Sequence, residues 1–321
     1  MMTFSVLTYM FTVITFSLCS PNHIHYFTAF AAIGLVGAYS TPVNPLCSES
    51  ELLYQVEATN CKLIIANSCC LEKARHVANK RNIPIITLGT ETAADNVHIV
   101  ASIGDLLAQN PAGAVDRASF AALQPNVDAE QVLSIPFSSG TTGRPKGVML
   151  THRNVTTNIL QWARSEGDSL RPCATTGRRG ALLIPLPFFH IYGLVLGLCG
   201  PLYATSKVVF MSQFDLETYL SNLQHQRVTR SYVVPAIVLQ LAKSPLVDGF
   251  DLSSLPCLLS SAAPLGGAEQ EAAAARLKCI VKQGWGMTEL SPIGTLPAAF
   301  YLTVTYICMY ILSRALTLTF P

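Results

Sequence analysis

The 321-residue sequence predicts an α/β fold in which parallel sheets are covered by helices. Three observations carry that prediction. Segments of helical periodicity alternate with short β-branched runs from about Tyr26 to Glu289. The short runs are apolar throughout instead of alternating, as strands buried on both faces are. Half of the residues are hydrophobic and only 12% are charged, enough apolar material for one large core or two ordinary ones.

The elements follow in order. Thr28–Tyr39 is an apolar helix of small residues. Ser48-x-x-Glu51 is a capping box, in which the Ser and Glu side chains satisfy each other's free backbone N–H groups. It opens a helix over Glu49–Thr59 with Leu52, Leu53 and Val56 on one face. Lys62–Ala66 is a buried strand, Leu71–Arg81 a helix and Ile83–Leu88 a second strand. Ala112–Asp128, rich in Ala, Pro and Asp, reads as a connecting loop that could join two similar halves of one unit. Strands over Val132–Phe137 and Val148–Leu150 resume the alternation, followed by a helix that Thr151 caps. Ala181–Pro185, Lys207–Met211, Ser231–Val234, Cys257–Ser260 and Cys279–Gln283 are further strands. Ile191–Leu198, Leu216–Gln226, Pro235–Lys243 and Gly267–Leu277 are the helices between them.

Composition excludes some functions. The formal net charge of +2, with no basic block, argues against a nucleic-acid partner. None of the ten cysteines forms a C-x-x-C pair, so free thiols in a reducing, intracellular compartment are expected rather than a disulfide scaffold. No Lys or Arg precedes Lys62, so the apolar opening Met1–Cys19 lacks the basic start of a signal peptide. Ala298–Ser313 is a second uncharged run, closed by Arg314. Each run falls short of the ~20 residues that span a bilayer. A membrane segment, a buried strand or helix, and sequence foreign to the fold remain open for both ends, and with them membrane contact.

The strongest chemical signal is Ser138-Ser139-Gly140-Thr141-Thr142-Gly143-Arg144-Pro145-Lys146-Gly147, between two strands. Glycines let the backbone wrap an anion, the hydroxyls donate hydrogen bonds, and Lys146 adds a positive charge. That composition suits a polyphosphate, although the lysine spacing is not that of a Walker loop. A glycine-rich surface hairpin is the bland alternative.

The stretch SSGTTGRPKGVMLTHRN closely resembles the phosphate-loop signature of the adenylate-forming superfamily, which takes in acyl- and aryl-CoA ligases, firefly-type luciferases and peptide-synthetase adenylation domains. Pro185–Leu194 (PLPFFHIYGL) resembles the aromatic/His segment beside the acyl site, Ser260–Gly266 (SSAAPLG) the stretch that packs against adenine, and Gln283–Glu289 (QGWGMTE) the nucleotide motif. The resemblance runs from about Ser20 to Thr295. It implies the large N-terminal domain of such an enzyme over 20–296, flanked by apolar segments of uncertain origin at 1–19 and 297–321.

Roles follow from the resemblance residue by residue. Lys146 with the loop hydroxyls would hold the outer phosphates of ATP, and Thr288 would add a hydroxyl. Glu289 is placed to hold Mg²⁺. Trp285, where relatives often carry Tyr, offers a face for adenine, with Gly284 and Gly286 permitting close approach and Met287 beside them. Ser261 stands where relatives commonly have Gly, so a side chain must fit next to Ala262 and Ala263. His190 is assigned near the acyl carboxylate or the thiol path, and Tyr192 is a candidate lining residue of the acyl site. His152 and Arg153 read as the start of the next helix rather than as ligand contacts.

The implied chemistry activates a small carboxylic acid with ATP as an acyl-adenylate, which the thiol of CoA then intercepts. The wording GMTE and the PLPFFHIYGL segment favour the CoA-ligase branch, the 4-coumarate–CoA ligase and acyl-CoA synthetase group, over the peptide-synthetase type. In the family a strand bearing [ST]-G-D, an Arg, a hinge and a small C-terminal domain with a catalytic lysine come next. Here no Asp, Glu or Lys follows Glu289. The expectation is therefore a chain shortened at both ends and impaired, with an inactive or membrane-attached nucleotide-binding fragment as the non-enzymatic reading.

Overall fold

Two large sheets and three layers of helices organise the chain. The structure, a computed structural model, describes residues 14–89, 98–109, 128–138, 143–166, 180–297 and, by backbone alone, 306–308. The first sheet contains β1 (Thr15–Cys19), β2 (Tyr39–Val43), β3 (Cys61–Ala66), β4 (Ile85–Thr87), β5 (Ile99–Ser102) and β6 (Val132–Ser134). Beyond β6, β7 (Phe137–Ser138) and β8 (Lys146–Gly147) make a separate antiparallel hairpin, and β9 (Leu150–Thr151) returns to the first sheet. The order is β5-β4-β3-β1-β2-β6-β9, parallel except for β9. The second sheet, β11-β10-β12-β13-β14, is parallel throughout. Its strands are β10 (Ala181–Ile184), β11 (Lys207–Phe210), β12 (Arg230–Val233), β13 (Cys257–Ser260) and β14 (Ile280–Gln283).

Strand side chains alternate between two cores, which is why these runs read as apolar throughout. Cys19, Ile64 and Ile85 face one core with α2 (Glu49–Ala58) and α3 (Leu71–Arg81). Leu18, Ile65 and Leu88 face a central core with α1 (Tyr26–Leu35) and α5 (His152–Glu166). Leu182, Ile184, Tyr232 and Leu259 enter that central core from the second sheet. Leu183, Val233, Leu258 and Val281 face the third core, under α6 (Leu216–His225), α7 (Pro235–Lys243) and α8 (Gly267–Leu277). The layers are therefore helix, sheet, helix, sheet, helix. The short α4 (Ile103–Gln109) follows β5.

Several sequence expectations are corrected. The first helix ends at Leu35, not Tyr39, because Gly37 takes a left-handed φ of 75° and Ala38 N–H donates back to the Ile33 carbonyl, which closes the helix and releases Tyr39 to β2. The strand expected over Val132–Phe137 is split between two sheets at Pro136, which has no N–H to donate. The helix after His190 is a π-helix, Tyr192–Cys199, continued by one turn at Gly200–Tyr203. The two halves do not divide near Ala112–Asp128. The chain resumes after that stretch by adding β6 and β9 to the first sheet, and the second sheet begins only at β10. Apart from Asp128, that loop lies outside the described residues.

The apolar opening contributes β1, which pairs with both β2 and β3 near the middle of the first sheet. Residues 306–308 form β17 (Tyr306–Cys308), paired with β16 (Ile293–Pro297), which in turn pairs with β15 (Trp285–Gly286). Residues 1–13, 298–305 and 309–321 lie outside the described residues. No helix among the described residues is long and apolar enough to cross a membrane. The eight described cysteines are free.

Buried polar groups tie the layers. In the central core Glu166 receives hydrogen bonds from Arg230 Nε at 3.2 Å and Tyr232 Oη at 2.9 Å, while Trp162 Nε1 donates to Tyr232 Oη at 2.7 Å. At the sheet ends, Asn22 Nδ2 donates to the Leu186 carbonyl at 2.8 Å and the Met211 carbonyl at 2.9 Å, and its Oδ1 accepts from Phe188 N–H at 2.6 Å. Asn22 follows β1 in the first sheet; its three partners follow β10 and β11 in the second. Asn22→Ala strands two buried carbonyls and one N–H, so it should lower the unfolding free energy by about 2–4 kcal/mol. Urea denaturation checks this, with the midpoint moving and the slope unchanged.

Candidate nucleotide and acyl site

In open parallel sheets, ligands bind beyond the carboxyl ends of the strands. The segments singled out in the sequence lie there. His190 follows β10, Ser261–Ala263 follow β13, and Gly284–Glu289 follow β14. The first sheet contributes the residues after β2 and the β7–β8 hairpin after β6.

The hairpin pairs Ser138 directly with Lys146 and Phe137 with Gly147. Both ends of the glycine-rich loop are thus pinned side by side, and Ser138 and Lys146 are half-buried at its base. Gly143 is exposed with a φ of 137°. Ser139, Gly140, Thr141 and Thr142 lie outside the described residues. Thr151 and Asn154 close the following turn reciprocally, Asn154 N–H donating to Thr151 Oγ1 at 3.1 Å and Thr151 N–H to Asn154 Oδ1 at 3.0 Å. This cap starts α5 immediately behind the hairpin, as Thr151 predicted. Arg153 pairs with Glu130 on the surface, and burial lowers the His152 pKa.

Helix α5 then reaches the nucleotide motif. Buried Asn158 donates to the Ile293 carbonyl at 2.9 Å and the Leu290 carbonyl at 3.3 Å, and accepts from Ile293 N–H at 3.3 Å. These bonds fix the turn between β15 and β16, which carries Thr288 and Glu289, both half-buried. Sequence reasoning missed Asn158; an Asn on the apolar face of a helix was the available signal.

Trp285 is 58% exposed, so its face is open to a partner. It borders a cavity of about 770 Å³ together with Ala262, Ala263, Lys282, Gly284 and Gly286. That volume lies within the range of small-molecule sites. Burial also lowers the pKa of Lys282, a cavity residue to which the sequence reading gave no role. The glycines serve the chain itself: a Cβ on Gly286 would stand 2.1 Å from the Pro292 carbonyl oxygen, and one on Gly284 3.3 Å from Ile293. Ser261 is buried and its N–H donates to the Val233 carbonyl, while the adjacent Ala262 holds a φ of 76°. A left-handed Ala is a strained conformation of the kind that clusters at functional sites.

A second cavity, about 360 Å³, is lined by Pro145 of the hairpin, His190 and Thr288, with Cys47, Glu51 and Tyr54 opposite. Glu51 is committed to the Ser48 cap, whose hydrogen bonds hold its pKa low. His190 reaches solvent at the cavity, but the protein walls around its ring hold its pKa below the ordinary 6.5. Its Nδ1 accepts from Tyr192 N–H at 3.2 Å, so the neutral ring carries its proton on Nε2, the free nitrogen. Tyr192 is fully enclosed, stacks on Tyr232 at 6.3 Å and borders neither cavity. Met287 is exposed.

No group of three or more His, Cys, Asp or Glu side chains among the described residues is disposed to hold a metal ion. A lone carboxylate such as Glu289 fits a cation that takes its remaining ligands from phosphate oxygens and water, the habit of Mg²⁺.

A family model described as AMP-binding enzyme matches residues 15–310. The 4-coumarate–CoA ligase 2 of Petroselinum crispum is 36% identical over 287 residues, covering 89% of this chain and 50% of that protein. The 4-coumarate–CoA ligase of Vanilla planifolia is 37% identical over 291 residues, covering 89% and 50%. The chain spans about half the length of the curated relatives it matches. A red-emitting luciferase from Phrixothrix hirtus superposes with a TM-score of 0.73 at 26% identity, over 87% of this chain and 52% of that one. ATP-bound MatB from Rhodopseudomonas palustris shares the fold at a TM-score of 0.73 and 22% identity, over 90% and 52%.

Two outcomes are expected at this site. Because its folded pKa is depressed, titration of His190 adds no pH dependence to stability well above pH 6.5, and stability falls as pH drops below that value, where the unfolded chain protonates first. His190→Asn should reduce the loss of unfolding free energy between pH 7 and 5, with His152 still contributing; an unchanged loss refutes the assignment. Gly286→Ala must push β15 away from Pro292, and should cost about 2–4 kcal/mol by calorimetric unfolding, in the range of severe overpacking or a displaced backbone.

Proposed function

Because the chain belongs to the AMP-binding enzyme family, we propose that its site activates a carboxylic acid with ATP as an acyl-adenylate and passes the acyl group to CoA. One observation supports this reading above the others: Pro145, His190 and Thr288, from three separate sequence motifs, line one cavity. The wider cavity is lined by Gln283, Gly284, Trp285 and Gly286 of the same motif.

In this reading adenine stacks on Trp285, with the backbone of Ala262 and Ala263 on its other face. The triphosphate runs from there toward the hairpin, where Lys146 and Ser138 meet the outer phosphates and Thr288 donates its hydroxyl. Bound Mg²⁺ would neutralise phosphate charge, with Glu289 as its protein ligand. The acid's carboxylate oxygen attacks the α-phosphorus, the bond to pyrophosphate breaks, and acyl-AMP forms. The CoA sulfur then attacks the acyl carbonyl, AMP leaves, and the thiol proton passes to solvent. His190 presents Nε2–H toward the acyl side as a neutral hydrogen-bond donor. Positioning and charge neutralisation carry such a reaction, so a site of fixed backbone and few charged groups is suited to it.

The likeness to 4-coumarate–CoA ligases makes aromatic acids the first substrates to try, with fatty acids beside them.

The proposal is tested by calorimetry with MgATP. Lys146→Ala should weaken binding by about 1.5–3 kcal/mol, the range for a hydrogen bond to a charged group. Glu289→Ala should abolish the dependence of affinity on Mg²⁺. Equal affinity in the wild type and both variants would overturn the site. A panel of aromatic and fatty acids, assayed for pyrophosphate release, then reads the acid class.

A further inference from the structure

We infer that Tyr54, on α2 and outside the recognised motifs, is a positioning residue that tethers the phosphate-binding hairpin to the first helical layer. The inference rests on the reading of the hairpin as the polyphosphate site.

The hairpin needs an anchor. Among the described residues it has two cross-strand pairs, Phe137–Gly147 and Ser138–Lys146, and even full two-stranded hairpins are marginal alone in water. Phe137 is half-buried, and Gly143, Arg144 and Pro145 are exposed, so the β7–β8 pair has little core of its own.

Tyr54 meets both limbs. On the entering limb its ring stands edge-on to Phe137, centroids 6.1 Å apart at 75°. On the returning limb its hydroxyl donates to the Pro145 carbonyl at 3.0 Å, in the peptide that leads into Lys146. The Arg144 guanidinium carbon lies over the same ring, 5.6 Å from its centroid. One side chain thus makes an edge contact, a hydrogen bond and a cation–π contact with residues that flank Ser138 and Lys146. The Ser48–Glu51 capping box fixes the first turn of α2, less than one turn before Tyr54, so the tether has a rigid base. Arg144 is engaged with Tyr54, which leaves Lys146 as the cation at the base of the loop.

The test separates positioning from general stability. Tyr54→Phe keeps the ring contacts and loses only the hydrogen bond; Tyr54→Ala loses all three. In the 321-residue chain, MgATP and pyrophosphate binding should weaken about two- to threefold in Tyr54→Phe and about five- to tenfold in Tyr54→Ala. AMP, which has no outer phosphates, should bind within about twofold of wild type, and Tyr54→Phe should melt at the wild-type temperature. Amide exchange at Arg144, Lys146 and Gly147 should quicken in Tyr54→Ala without bound nucleotide, while α3 is unchanged.

Equal loss of AMP and MgATP affinity, or exchange at Arg144, Lys146 and Gly147 unaltered in Tyr54→Ala, overturns the inference. Lys146→Ala is the control for its premise. If Lys146→Ala leaves MgATP binding intact, the polyphosphate reading fails, and the inference about phosphate positioning falls with it. If Lys146→Ala weakens binding and Tyr54→Ala does not, the inference alone fails.

Discussion

The join between the carboxyl ends of the two sheets depends on one buried amide. Asn22 uses both N–H bonds and its oxygen on backbone groups just past β10 and β11 of the second sheet. A buried carbonyl or N–H without a partner costs about 1–3 kcal/mol, so these bonds resist any sliding of one sheet end past the other. The bond to Phe188 N–H also shapes the turn that leads into His190. The side chain that aligns the sheets therefore also sets one wall of the candidate site.

The rest of the site follows from parallel-strand geometry. Every strand of the second sheet delivers its following loop to the same edge, and β2 and β6 of the first sheet do the same. Within that edge, α5 links two of the chemical segments. Its start is capped after the glycine-rich hairpin, and Asn158, two turns on, fixes the turn that carries Thr288 and Glu289. A helix is a stiffer spacer than a loop, so the distance between hairpin and nucleotide motif is set by secondary structure.

Close backbone packing supplies the remaining precision. Gly193 at the start of the π-helix could not accept a Cβ, which would meet the Pro187 carbonyl oxygen at 2.2 Å. His190 N–H donates to that carbonyl at 3.2 Å. Gly286 is held as tightly against Pro292. Substitutions at these glycines would act by moving His190 or Trp285 rather than by altering chemistry, and left-handed Ala262 directly follows Ser261, whose N–H is held on the Val233 carbonyl at the end of β12.

The sequence alone determined the alternation of helix and strand, the bounds of Leu71–Arg81, Pro235–Lys243, Cys257–Ser260 and Gly267–Leu277, and the Ser48–Glu51 cap, and it marked the glycine-rich Ser138–Lys146 loop as the candidate for polyphosphate. Those signals are local: periodicity, capping residues and a run of Gly, Ser and Thr. Tertiary structure decided what is not local. It drew β1 from an anonymous apolar opening into the middle of a sheet, because only pairing with β2 and β3 distinguishes a buried strand from other apolar runs. It assigned β6 and β9 to the first sheet, split a strand at Pro136, and stacked buried Tyr192 on Tyr232. It gave Asn22, Tyr54 and Asn158 their roles, since each bonds to groups between 91 and 189 residues away along the chain. A side chain's partner at that separation is fixed by how the layers stack, and no window of sequence contains both members of the pair.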